Sequence, residues 1–141
     1  YKFEKKAKYI VKLERLESVT RSLFNNLLVI NNNNFNAKRI EPSLPYLKES
    51  INQYICLFRE IEELKLEIHF IRKRYDKLFF HPFNTLLNLR NYFIQILKEI
   101  EKTEHSNSKN INSAFFHKFQ IKDIEEPFLA INTLISLLEK I

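Results

Sequence analysis

Tyr54-Ile55-Cys56-Leu57-Phe58-Arg59-Glu60-Ile61-Glu62-Glu63-Leu64-Lys65-Leu66-Glu67-Ile68-His69-Phe70-Ile71-Arg72-Lys73-Arg74-Tyr75-Asp76-Lys77-Leu78 is the stretch that decides the fold class. Within it Tyr54, Leu57, Ile61, Leu64, Ile68, Ile71, Tyr75 and Leu78 recur at alternating steps of three and four, the spacing that keeps one stripe of an α-helix apolar. Read from Pro45 to Phe79, the pattern predicts one extra-long helix of roughly 35 residues, about 50 Å at 1.5 Å per residue. Ile51, Ile55 and Phe58 widen the stripe in its first half, which should therefore be covered on two sides. The second half keeps a narrow stripe, Leu64, Ile68, Ile71, Tyr75 and Leu78, of the kind a partner helix covers.

Working outward, the most telling feature is an absence: the chain contains no glycine. Tight hairpins, β-bulges, phosphate-cradling loops and nucleophile elbows all rely on glycine for positive φ or close backbone approach. Its loss removes most β architectures and most phosphate-loop enzymes together. Three further helices flank the long one. The first spans Lys2 to Ile30, with Tyr9, Leu13, Leu16, Leu23, Leu27 and Ile30 as its stripe and Thr20 as the one polar interruption. Asn31 to Asn34, followed by Pro42 and Pro45, read as a surface loop, with Ser43 or Leu44 capping the next helix. His81-Pro82 is read as the stop of the long helix. A third helix is expected over Phe83 to Glu104, burying Leu86, Leu89, Phe93, Ile96 and Ile100. After a polar stretch, Phe115, Phe116 and Phe119 mark a short Phe-rich insertion before the last helix. Asp123 with Glu126 forms a capping-box pattern for that helix, unless Pro127 is its first residue. Ile124, Phe128, Ile131, Ile135 and Leu138 give its stripe. The expected fold is all-α: one domain over residues 1–141, a four-helix up-and-down bundle.

Composition agrees with a packed core, at 45% hydrophobic residues with 13 Phe and 6 Tyr supplying bulk where Trp and Met are absent. The longest aliphatic run, Leu27 to Ile30, is far below the ~18 residues of a membrane span. The chain opens on Tyr1 and holds no Met, so it is read as a fragment or processed piece of a longer protein. The single Cys56 forms no internal disulfide, fits a reducing intracellular compartment, and is read as a small buried hydrophobe.

In an up-down-up-down bundle both basic clusters fall at one end. Lys2, Lys5, Lys6, Lys8, Lys12 and Arg15 open the first helix, Arg72, Lys73, Arg74 and Lys77 close the second, and Arg90 lies two turns into the third. With a net charge of +6, the pole formed by Lys5, Lys6, Arg72, Arg74, Lys77, His81, Arg90 and Asn91 is a candidate macromolecule-binding surface. It would attract RNA by counterion release with aromatics for stacking, or equally an acidic protein or an anionic membrane. A solvated cationic face that complements helix macrodipoles is the alternative.

Leu89-Arg90-Asn91-Tyr92-Phe93-Ile94-Gln95 resembles the signature of the HEPN superfamily, all-helical domains that include many RNA-cutting nucleases: Arg, a polar residue often Asn, a few variable positions, then His. Arg90 and Asn91 match, and Gln95 stands where the nucleases have His. The resemblance covers these seven residues and a compatible four-helix layout. It implies that Arg90 contacts a phosphate and Asn91 orients it. A glutamine cannot exchange a proton near neutral pH as imidazole does, so it further implies a degenerate copy that binds RNA or dimerises. On an ideal helix, however, Arg90 and Gln95 lie about 140° apart.

Other chemistry finds little purchase. The four histidines form no His-x-x-x-His or Glu-x-x-His pair, so no metal site and no cofactor are expected. Glu60, Glu62, Glu63 and Glu67 read as a solvated acidic band. No paired-carboxylate or Ser/His/Asp site can be assembled, and no small-molecule substrate is inferred. The leading expectation is a non-enzymatic interaction domain that binds a protein partner or a second copy through its long helix and basic pole. A degenerate HEPN-like RNA-binding or dimerising domain and an anionic-membrane module are the alternatives.

Overall fold

The computed structural model describes residues 2–32, 39, 41–69, 76–106 and 121–140. These form four helices and one short 3₁₀ turn. Helix α1 runs Lys2–Asn32, the 3₁₀ turn Glu41–Ser43 leads into α2, Leu44–His69, and α3 (Asp76–Ser106) and α4 (Ile121–Lys140) follow. There is no strand among the described residues. Each helix packs on the next, and α4 closes on α1. Cross-helix contacts fix the directions. Lys12 near the start of α1 meets Glu60 late in α2, and Lys48 at the start of α2 meets Glu104 at the end of α3. Neighbours are thus antiparallel, and the all-α four-helix up-and-down bundle is the observed fold.

The buried stripe of α1 is Tyr9, Leu13, Leu16, Thr20, Leu23, Leu27 and Ile30, with Phe24 beside it. Thr20 enters the core without an unpaired hydroxyl, because its Oγ1 donates to the Leu16 carbonyl one turn back at 2.7 Å. On α3 the predicted face, Leu86, Leu89, Phe93, Ile96 and Ile100, is buried in full. On α4, Ile131 and Leu138 are buried together with Pro127, Ala130 and Leu134, while Ile124, Phe128 and Ile135 pack at the core's edge.

One aromatic chain joins all four helices. Phe93 of α3 meets Tyr54 of α2 edge-on at 5.1 Å and Phe24 of α1 at 6.4 Å, and Phe24 in turn meets Phe128 of α4 edge-on at 5.6 Å. Tyr54 stacks on Phe58, and Phe58 leans on Phe83 at 5.1 Å. A chain without Trp fills its core with phenyl rings, whose edge-to-face pairs add to the area they bury.

The extra-long second helix is not found. The described part of α2 is Leu44–His69, residues 70–75 lie outside the described residues, and Asp76 to Phe79 already belong to α3, which runs back antiparallel to α2. An early start for α3 lets Phe79 and Phe83 turn into the core, whereas one straight helix would carry Phe79 past the end of the bundle. His81-Pro82 therefore does not stop a helix. Pro82 lies in the second turn of α3, buried, where its missing N–H deprives only the Leu78 carbonyl, on an exposed residue within reach of water. The buried stripe of α2 is also shifted. Leu47, Ile51, Tyr54, Phe58 and Ile61 are fully buried, and Leu57 is only half-buried. Steps of three and four connect Tyr54 to Ile61 through either Leu57 or Phe58, and the larger ring takes the core. Asp123 and Pro127 lie inside α4, which starts at Ile121, so neither opens it. Ser43 does directly precede α2, with Pro45 in its first turn. The Phe115, Phe116 and Phe119 insertion falls outside the described residues.

Two buried tyrosines make opposite predictions. The Tyr54 hydroxyl donates to the Leu86 carbonyl at 2.8 Å, tying α2 to α3. The Tyr9 hydroxyl is just as buried and has no hydrogen-bond partner among the described residues. Burial raises the pKa of both phenols far out of the physiological range, and the charge of Arg90 pulls that of Tyr54 back in part. Tyr54→Phe should cost about 1 kcal/mol, whereas Tyr9→Phe should stabilise by about 1 kcal/mol because it removes an unsatisfied buried group. Thermal unfolding of the two variants should move in opposite directions, each by about 3 °C. Shifts of the same sign would contradict the assignment.

Candidate functional site

Toward the end of the bundle where α1 begins and α2 finishes, the two helices line an open groove of about 610 Å³. Ala7, Lys8, Val11, Lys12 and Arg15 line it from α1, and Glu60, Glu63 and Leu64 from α2. The α1 side follows from its periodicity. The buried stripe runs through Tyr9, Leu13 and Leu16, which turns Lys8, Val11 and Arg15 outward along one flank. Val11 is 47% exposed there, and Leu64 opposite it is half-buried against the core. These two with Ala7 give the groove apolar material between charged rims.

Charges at this end are paired unevenly. Lys12 Nζ donates to Glu60 Oε2 at 2.7 Å. Lys8, Arg15 and Glu63 are exposed and have no ion-pair partner among the described residues. The acidic band of α2 is left to solvent only in part: Glu60 is committed to α1 and Glu62 to α3, Glu63 stays exposed, and the side chain of Glu67 lies outside the described residues.

Arg90 is the second cluster. Its Nη1 donates to Glu62 Oε1 at 3.2 Å and its Nη2 to Asn91 Oδ1 at 3.3 Å. The guanidinium carbon sits 5.3 Å from the centre of the Phe58 ring, and Nε is buried with no hydrogen-bond partner. Arg90 and Asn91 are therefore brought together but spend their polar groups on each other and on Glu62. Gln95, one turn further on, is exposed.

The other predicted residues scatter. Lys5 and Lys6 are half-buried on α1 and already engaged by other groups. Lys77 and His81 are exposed on the first turns of α3. Arg72, Arg74, Ile71 and Tyr75 lie outside the described residues. Ile68 belongs to α2, whereas Leu78 belongs to α3 and is 55% exposed beside Phe80 at 65%. The partner-helix face drawn from Leu64 to Leu78 is thus divided between two helices, because the chain starts a new helix at Asp76. Cys56 is exposed rather than buried, since it sits between Tyr54 and Phe58 in sequence but on the opposite side of α2.

Val11 is the residue that sequence reasoning passed over. An aliphatic side chain off the buried stripe, with cations three residues before it and four after, was the available signal. No group of His, Cys, Asp and Glu able to hold a metal ion occurs among the described residues, and no described helix is long and apolar enough to cross a membrane. No protein-family model, curated protein or solved structure matches the chain.

Proposed function

We propose that this chain is a non-enzymatic helical interaction domain that binds a macromolecular partner in the groove between α1 and α2. The observation that carries the reading is the groove's composition: exposed Val11 and half-buried Leu64 beside Lys8 and Arg15, which have no ion-pair partner among the described residues, while the neighbouring Lys12 is already neutralised by Glu60. An apolar floor with charged rims is what a protein interface offers: a desolvated centre inside a polar edge. The HEPN-like reading draws less support, because Glu62 and Asn91 already occupy the Arg90 guanidinium that would meet a phosphate.

Isotope-edited NMR spectra of the labelled chain in an extract of its own cells test this directly. Residues 7–15 and 60–64 are expected to broaden beyond detection while the far end of the bundle stays sharp, and Val11→Asp should restore their signals. A spectrum identical to that of the free chain overturns the reading. Single-stranded RNA supplies the competing outcome. An RNA affinity, read by anisotropy, that falls by orders of magnitude between about 50 and 200 mM salt and is lost in Arg90→Ala would put the HEPN-like alternative in its place.

A further inference from the structure

Resting on that reading, we infer that the groove's occupant is an acidic amphipathic helix whose carboxylates straddle Val11. Lys8, Val11 and Arg15 lie on one flank of α1, a cation, an apolar side chain and a second cation. The cations are seven positions apart, about 10.5 Å along the helix axis at 1.5 Å per residue. A helix lying parallel to α1 at the usual shallow packing angle repeats the same rise, so its matching edge reads Glu-x-x-Leu-x-x-x-Glu, and the reversed order Glu-x-x-x-Leu-x-x-Glu belongs to an antiparallel one.

The walls differ in charge, which orients the occupant. The α1 wall offers two cations without ion-pair partners among the described residues, whereas the α2 wall offers the single unpaired Glu63, Glu60 being held by Lys12. The partner's acids consequently face α1, and a Lys or Arg on its other edge would meet Glu63.

Other occupants fit less well. Nucleic acid would satisfy the cations but bring nothing comparable to cover Val11 and Leu64, and a bilayer surface is flat where the groove is concave. A second copy of this chain meets the mutual repulsion of its net charge of +6.

A fluorescein-labelled, lactam-bridged helical peptide of about four turns carrying Glu-x-x-Leu-x-x-x-Glu, titrated with the full chain and followed by anisotropy, is the probe. Saturable binding is expected, with a Kd on the order of tens of micromolar. Lys8→Glu combined with Arg15→Glu should weaken binding about tenfold or more, and should transfer preference to a peptide with Lys in place of both Glu. Both substituted side chains are exposed, so circular dichroism of the variant should match the parent. Equal binding of a peptide with the same residues in shuffled spacing, or no transfer of preference in the charge-reversed variant, overturns the inference. If the groove signals broaden in extract and the matched peptide fails to restore them, the acidic helix is wrong while the interaction reading stands.

Discussion

Phe93→Ala is expected to remove about 3–5 kcal/mol of stability, the largest single effect in the molecule. Phe93 is fully buried at the centre of α3 and touches the aromatic residues of two other helices, Tyr54 at 5.1 Å and Phe24 at 6.4 Å. Removing the ring leaves a cavity in a region of packed phenyl groups that cannot readily collapse into it. It also ends an edge-to-face contact worth about 0.5–1.5 kcal/mol beyond area alone. For a domain whose total stability is on the order of 5–15 kcal/mol, the loss is a large share, and the melting temperature should fall by about 10–15 °C. Phe93→Leu fills much of the same volume and should cost less than about 1.5 kcal/mol. Near-equal melting temperatures for the alanine variant and the parent would mean that α1, α2 and α3 do not meet through this ring.

The bundle itself was legible in the sequence, because each helix carries its own periodicity. The stripes on α1 and α3 were readable almost residue by residue, and even Thr20 occupied the buried slot its spacing assigned. The boundary between α2 and α3 was not legible, for a physical reason. Three-and-four spacing continues from Leu64 through Tyr75 to Leu78, and a pattern that survives a chain reversal cannot reveal one. Proline misled as well: Pro82 and Pro127 each lie in the second turn of a helix, where the missing N–H gives up one intrahelical bond, to the Leu78 and Asp123 carbonyls, without ending the helix. The charge clusters were visible but their partners were not. That Lys12 would find Glu60 and Arg90 would find Glu62 depends on the register between antiparallel helices, which no single-helix pattern contains. The groove follows from the same register, and only the off-stripe position of Val11 announced it in advance.

Arg90 separates packing from charge in a way that mutation can read. Arg90→Ala should destabilise by about 1–2 kcal/mol, from loss of the stem that covers the edge of the core and of the guanidinium over Phe58. The ion pair with Glu62 adds little. The side chains of Arg90 and Glu62 are 28% and 40% exposed, and a pair so open to solvent is worth about 0.5 kcal/mol. Against these gains stands the buried Nε with no hydrogen-bond partner, an unsatisfied donor that the arginine brings with it. Arg90→Met keeps an unbranched stem, sets a polarisable sulfur near the Phe58 ring and removes the unsatisfied donor. It should therefore melt at or above the temperature of the parent, and Glu62→Gln should change stability by less than about 1 kcal/mol. If the methionine variant melts as low as the alanine variant, charge rather than packing holds Arg90 in place. The methionine variant also removes the cation without unfolding the bundle, so any RNA affinity it loses belongs to the guanidinium, and any it keeps does not.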